Sequence, residues 1–178
     1  MNHKDHVYLL NDGVPDTPNQ VWADLGSGGG AFTLALADLL GPTGQIISVD
    51  KNARALKEQE QAMQAQFPAV KVQYRVADFT QPLDPPLLDG VVMANSLHFV
   101  TDRQKESVIA AVRTYLRPSG RLVLVEYNVD HGNTWVPYPL SYPTWELFAR
   151  RMGFANTKLL ATRPSSFLKE IYSAVSLS

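Results

Sequence analysis

The 178-residue chain contains no cysteine, which excludes disulfides, thiolate metal sites and a thiol nucleophile together. It also lacks any run approaching the roughly 20 apolar residues that a membrane-crossing helix needs. The opening MNHKDHVYLL has no long apolar segment of the kind a secretory leader carries. No membrane partner is therefore expected, and the cytoplasm is the default compartment. Neither sign of charge dominates, with 16 basic side chains against 17 acidic ones and a formal net charge of −1. That balance argues against a polyanionic partner, so nucleic acid is not an expected substrate. Internal repeats, low-complexity tracts and charge blocks are absent too. What remains is an ordinary globular composition of a length that suits one domain.

Alternating strand and helix patterns begin at Val21. VWADL reads as a strand that turns sharply through GSGGG into a helix ending at Gly41 and Pro42. QIISVD, from Gln45 to Asp50, is a second strand. A helix over Asn52 to Phe67 places Ala53, Leu56, Met63 and Phe67 on one stripe. In VKVQYRVAD, Val70, Val72, Tyr74 and Val76 share one face of a third strand. Three prolines, Pro82, Pro85 and Pro86, leave room only for a short helix before DGVVMANSL, a fourth strand from Asp89 to Leu97. Thr101 or Asp102 caps a helix whose Val108, Ile109, Val112 and Leu116 face inward, and RPSG ends it. RLVLVEY is a fifth strand, Arg121 to Tyr127. A loop rich in proline and aromatics and a helix from Thr144 to Met152 follow. The last two strand candidates are joined by too short a connection for a parallel crossover, so they form an antiparallel pair. The pattern is α/β, an open and mostly parallel sheet with helices on both faces.

Ligands of such sheets lie beyond the carboxyl ends of the strands. Each of the first four ends carries polar or acidic residues: Asp24 with Gly26, Ser27, Gly28 and Gly30; Asp50; Asp78; Asn95 with Ser96. The glycines allow a tight turn and close approach of a ligand to the backbone. Asp50 lies 24 positions after Gly26, near the spacing of roughly 20 expected for an acid that binds ribose hydroxyls. The helix beginning beyond Gly28 offers free backbone donors to an anionic group, and Asp24 can answer a cationic one.

Asp24 followed by the three glycines resembles motif I of the class I S-adenosylmethionine-dependent methyltransferases, and the resemblance spans essentially Val21 to Ser178. It implies a Rossmann-like sheet of seven strands in the order 3-2-1-4-5-7-6, the last antiparallel, and S-adenosylmethionine as cofactor. It gives Asp78 the adenine amino group, sets Phe79 beside the ring, and places Lys51 at the ribose or adenine edge. Residues 21–178 then form the methyltransferase domain, and residues 1–20 a short N-terminal segment in which Tyr8, Leu9 and Leu10 could form a partial lid. His3 and His6 read as disordered-end residues. A dinucleotide is the rival cofactor, since Gly26, Gly28 and Ala31 also satisfy GxGxxA. Against it, Asp24 would face a pyrophosphate of like charge, Asp78 would have no role, and no length remains for a substrate domain. A P-loop is excluded by the missing GK followed by Ser or Thr.

Methyl transfer from a sulfonium needs alignment more than acid–base groups. Asn95, Ser96, Leu97 and His98 would border the methyl group, with His98 and Glu126 as candidate catalytic bases. NSLH is unlike the NPPY-type motif of amino-methyltransferases, which favours a small-molecule acceptor. Trp135, Tyr138, Tyr142 and Trp145 could wall an apolar acceptor pocket. No metal site is expected. A non-catalytic cofactor-binding module and an NAD-dependent oxidoreductase stay open as alternatives, as does a homo-oligomer.

Overall fold

The computed structural model describes all residues, 1–178. Seven strands form one sheet in the order β3-β2-β1-β4-β5-β7-β6: β1 (Val21–Leu25), β2 (Gln45–Asp50), β3 (Lys71–Val76), β4 (Leu88–Ala94), β5 (Leu116–Tyr127), β6 (Asn156–Ser165) and β7 (Lys169–Leu177). The first five are mutually parallel, and β7 runs antiparallel to both β5 and β6. Fold class and strand order are those the sequence and its resemblance imply. Strand alternation sends Trp22, Ile46, Val92 and Val123 to one face and Ala23, Ile47, Val91 and Leu122 to the other. Helices α1 (His3–Leu10), α2 (Ala31–Leu40) and α3 (Ala53–Gln66) cover the first face, and α4 (Asp102–Tyr115) and α5 (Tyr142–Arg151) the second. Because both faces are buried, the central strands read as unbroken apolar runs such as VVMA and LVLV.

Several local expectations change. Residues 3–10 do not fold over the strand ends. They form α1, whose capping box at Asn2 and Asp5 starts a helix that buries Leu9 and Leu10 against α2 and the sheet. His3 and His6 belong to that helix rather than to a loose end: His3 Nε2 lies 3.1 Å from Asp38 and the His6 ring 4.8 Å from that of Phe32. Strand β4 stops at Ala94 instead of Leu97, because Asn95 takes a left-handed conformation (φ 51°) and a 3-10 turn, Leu97–Phe99, follows. Strand β5 starts at Leu116, so Leu116 opens a strand instead of closing α4. RPSG forms its irregular first part, with Ser119 at φ 64°. The α3 stripe runs through Leu56, Gln59 and Met63, leaving Ala53 exposed. Val76, on the edge strand β3, is 63% exposed rather than packed.

Candidate functional site

The carboxyl ends of β1, β2 and β3 are tied together mostly by backbone. Gly26 and Ser27 donate to the Val49 carbonyl at 2.8 and 3.1 Å, and Ala77 donates to the Asp50 carbonyl at 3.1 Å. Asp50 receives the N–H groups of Gly28 on Oδ2 (2.7 Å) and Asn52 on Oδ1 (2.8 Å). The carboxylate proposed for ribose hydroxyls is thereby fixed in place, and each oxygen keeps a further lone pair. Gly26 sits at φ 79°, and a Cβ there would come within 2.5 Å of Ser96 Cβ and 3.0 Å of the Phe79 ring. At Gly28 and Gly29 a Cβ would meet nothing within 4 Å, so that stretch of backbone faces open space. The Gly29 and Ala31 N–H groups find no acceptor within the chain, as expected at a helix start.

Asp24 lies beneath this loop. It is 1% exposed, and its Oδ2 accepts from Thr33 Oγ1 at 2.6 Å. Burial pushes its pKa up to about 7, the Asp50 charge adds to the rise, and the Thr33 hydroxyl opposes it. Asp78 is exposed; two hydrogen bonds from Thr80 to Oδ1 (2.7 and 2.9 Å) and the Lys51 charge hold its pKa below the usual carboxylate value. Oδ2 of Asp78 is left unengaged. Asn95 has a buried Oδ1 with no partner, an acceptor waiting at the end of β4. Two predicted side chains point elsewhere. Ser96 Oγ donates to the Leu25 carbonyl (2.7 Å), tying β4 to β1. Ser27 Oγ turns inward to Ser48 Oγ, 2.7 Å away.

The ends of β4 and β5 bring together the two candidate bases, which lie 28 residues apart in sequence. His98, in the turn after β4, and Glu126, near the end of β5, are 3% and 1% exposed. The His98 Nδ1 lies 2.8 and 2.9 Å from the two Glu126 carboxylate oxygens. Glu126 Oε1 also accepts the Tyr127 N–H at 2.7 Å. With Nδ1 facing a carboxylate, that nitrogen carries the proton in the neutral ring and Nε2 becomes the basic one. Burial, with the Glu126 charge beside it adding to the effect, drives the phenol of Tyr172, the cross-strand partner of Glu126, to a pKa well above the ordinary value. Around the pair runs a strip of rings: His98 lies 4.3 Å from Phe99 and 6.0 Å from Tyr127, which lies 5.8 Å from Phe167.

The aromatic loop divides differently from the sequence expectation. Trp145, on the inner side of α5, is fully buried in the core, whereas Trp135 is 73% exposed. Tyr138 crosses the strand ends, its N–H donating to the His98 carbonyl (3.0 Å) and its carbonyl accepting from the buried Lys105 Nζ (2.5 Å). Sequence reading missed Lys105, Ser48 and Gln59. Only Gln59 left a signal, a polar residue at helical spacing between Leu56 and Met63.

A family described as a methyltransferase domain matches residues 23–120, more than half of the chain. The chain belongs to the class I methyltransferase family. Over 106 residues it is 32% identical to a ubiquinone/menaquinone biosynthesis C-methyltransferase, UbiE, of Stutzerimonas stutzeri, a stretch covering 59% of this chain and 41% of that protein. It is 29% identical over 112 residues to a 2-phytyl-1,4-naphtoquinone methyltransferase of Trichormus variabilis, covering 62% of this chain and 48% of that one. The match therefore spans less than half the length of both curated relatives. Among solved structures, the N-methyltransferase NodS of Bradyrhizobium japonicum superposes with a TM-score of 0.78 at 19% identity, covering 98% of this chain and 94% of its own. The YcgJ protein of Bacillus subtilis gives 0.76 at 12% identity, with 99% of each chain covered. These two share the fold of this methyltransferase-family chain.

Proposed function

We propose that this chain catalyses methyl transfer from S-adenosylmethionine to a small acceptor with a planar, largely apolar ring that bears an acidic proton. The buried His98–Glu126 pair beside the donor loop carries the reading. The donor residues fit the cofactor. Asp50 is preset for ribose hydroxyls, Asp78 Oδ2 for an adenine amino group with Phe79 and Lys51 beside it, and Gly29 and Ala31 N–H for a carboxylate. Asp24 and the orphaned Asn95 Oδ1 would answer an ammonium. S-adenosylmethionine, when bound there, supplies an electrophilic methyl group.

On the acceptor side, His98 Nε2 takes the acceptor proton as the acceptor–methyl bond forms and the methyl–sulfur bond breaks, its electron pair staying on the departing thioether, and Glu126 stabilises the imidazolium. No net charge is then created in a dry site. The ring strip of Phe99, Tyr127 and Phe167 suits a flat acceptor by edge and face contacts. The quinones in the names of both curated relatives, one as the product of a biosynthesis and one as the compound methylated, support the same reading.

Calorimetry with S-adenosylhomocysteine, followed by turnover assays on a panel of small phenols and hydroquinones, tests the reading. Absence of binding by either S-adenosylmethionine or its product sinks it. Binding without turnover on any acceptor favours a non-catalytic module, and a melting temperature raised by NAD instead favours the dinucleotide alternative.

A further inference from the structure

Gln59 is a fully buried polar side chain in a helix whose other buried residues are Leu56 and Met63. It reaches across from α3 to the underside of the donor loop. Its Oε1 accepts from Ser48 Oγ at 2.9 Å and lies 3.4 Å from Ser27 Oγ, while the two serine hydroxyls are 2.7 Å apart. Ser48 belongs to β2, Ser27 to the loop itself, and Gln59 to α3, so three separate elements meet in one triangle. The stem of Gln59 also packs under Gly30. That residue is left-handed (φ 86°), and any Cβ on it would overlap the Gln59 side chain. The amide Nε2 is buried without a partner, a cost that packing alone would not retain, since a methionine or leucine fills the same volume without it.

We propose that Gln59 is a positioning residue for the cofactor loop. It acts through Ser27 and Gly30 to hold the Ser27–Gly30 turn in the shape that presents its backbone N–H groups. The inference rests on the donor-site reading above. The loop conformation has to be set from below because its upper side is bare: nothing lies within 4 Å of a Cβ at Gly28 or Gly29. From β2, Asp50 fixes the Gly28 N–H and Val49 those of Gly26 and Ser27. Gln59 and Ser48 fix the side chain between them. Without the triangle, the turn from Ser27 into α2 can relax, and ordering it again would oppose cofactor binding.

The test is calorimetric titration of S-adenosylhomocysteine into the wild type, Gln59→Met, Ser48→Ala and the double variant, with the melting temperature of each ligand-free protein. Gln59→Met keeps the length and volume of the side chain while replacing its polar amide by an apolar end, which removes the acceptor. Ser48→Ala supplies a second variant should the first fail to fold. Each single change is expected to weaken binding about tenfold, the worth of one hydrogen bond. The double variant should lose little more than either single one, because both disrupt one triangle. With saturating S-adenosylmethionine, kcat should stay within about twofold while KM rises by the same factor as Kd. Unchanged affinity in both single variants overturns the proposal, as do losses that multiply in the double variant. No binding by the wild type instead brings down the donor-site reading and this inference with it.

Discussion

Along one edge of the sheet, two half-sites are built by different means. At the ends of β1, β2 and β3, the groups that would hold a donor are backbone amides and carboxylates already fixed by backbone amides, as Asp50 is by Gly28 and Asn52. At the ends of β4 and β5 the working groups are side chains. His98 and Glu126 find each other across two strands, and a loop crossing over them is pinned at Tyr138 between His98 and Lys105. The first construction depends on glycine dihedrals and tolerates few substitutions. The second depends on which side chains the strand ends carry, so it can be retuned for a different acceptor without disturbing the donor.

The sharpest way to separate the halves is to disable one and measure the other. His98→Ala or Glu126→Gln is expected to lower kcat by about 10² to 10⁴, the usual worth of a general base, with the S-adenosylhomocysteine Kd within about twofold. Turnover that survives either change would remove the pair from the chemistry and leave alignment as the whole of catalysis. The reverse experiment is Gly30→Ala. A Cβ there overlaps Gln59 at a dihedral that β-carbon-bearing residues avoid. Donor affinity should fall by about a hundredfold, with about 1–3 kcal/mol of stability lost to the strained backbone. Wild-type affinity in Gly30→Ala would show that the turn adapts, and the contrast between the halves would collapse.

The same contrast explains what could be read from the sequence. Strand order, the glycine turn and the positions of Asp50 and Asp78 at strand ends are legible because each lies in a short local pattern of apolar run, acid and glycine, or in the family resemblance. His98 and Glu126 were visible as residues at strand ends, but their pairing depends on β4 and β5 lying side by side, which no local spacing encodes. The split between buried Trp145 and exposed Trp135 is hidden because the residue type is the same in both, while Trp145 lies on the core-facing side of α5 and Trp135 in the loop before it. The N-terminal helix escaped because its apolar stripe is just Leu9 and Leu10, too short to mark a period. The inward direction of the Ser27 side chain is not legible, because its partners Ser48 and Gln59 come from a different strand and a different helix.

A smaller effect tests how electrostatics bear on the donor half. With its pKa raised to about 7, ligand-free folded Asp24 keeps its proton across a range where the unfolded carboxyl, near 3.8, has lost it. The folded state binds the extra proton between those values, so stability falls as pH rises from about 4 to 7. A bound ammonium favours the charged carboxylate, which reverses the sign for binding: S-adenosylhomocysteine affinity should rise with pH up to about 7, by at most about tenfold per unit. Asp24→Asn should flatten both slopes, as read by denaturant melts and by calorimetry from pH 5.5 to 8. Identical slopes in wild type and Asp24→Asn would move the ammonium contact to Asn95 alone.

The smallest expected effect concerns the acceptor half at its rim. Trp22 and Trp145 are fully buried while Trp135 is 73% exposed, so a solvent-dependent shift in tryptophan emission reports on Trp135. If the loop after β5 forms a wall of the acceptor site, emission should shift when an active acceptor binds and stay constant when S-adenosylhomocysteine binds alone. Trp135→Ala should leave stability within about 0.5 kcal/mol, as surface changes do. It should raise the acceptor KM by about three- to tenfold through lost aromatic contact, with donor affinity unchanged. Emission that ignores every active acceptor, together with an unaltered KM, would restrict the acceptor half to the ring strip of Phe99, Tyr127 and Phe167. The loop would then serve only to clamp His98 through Tyr138.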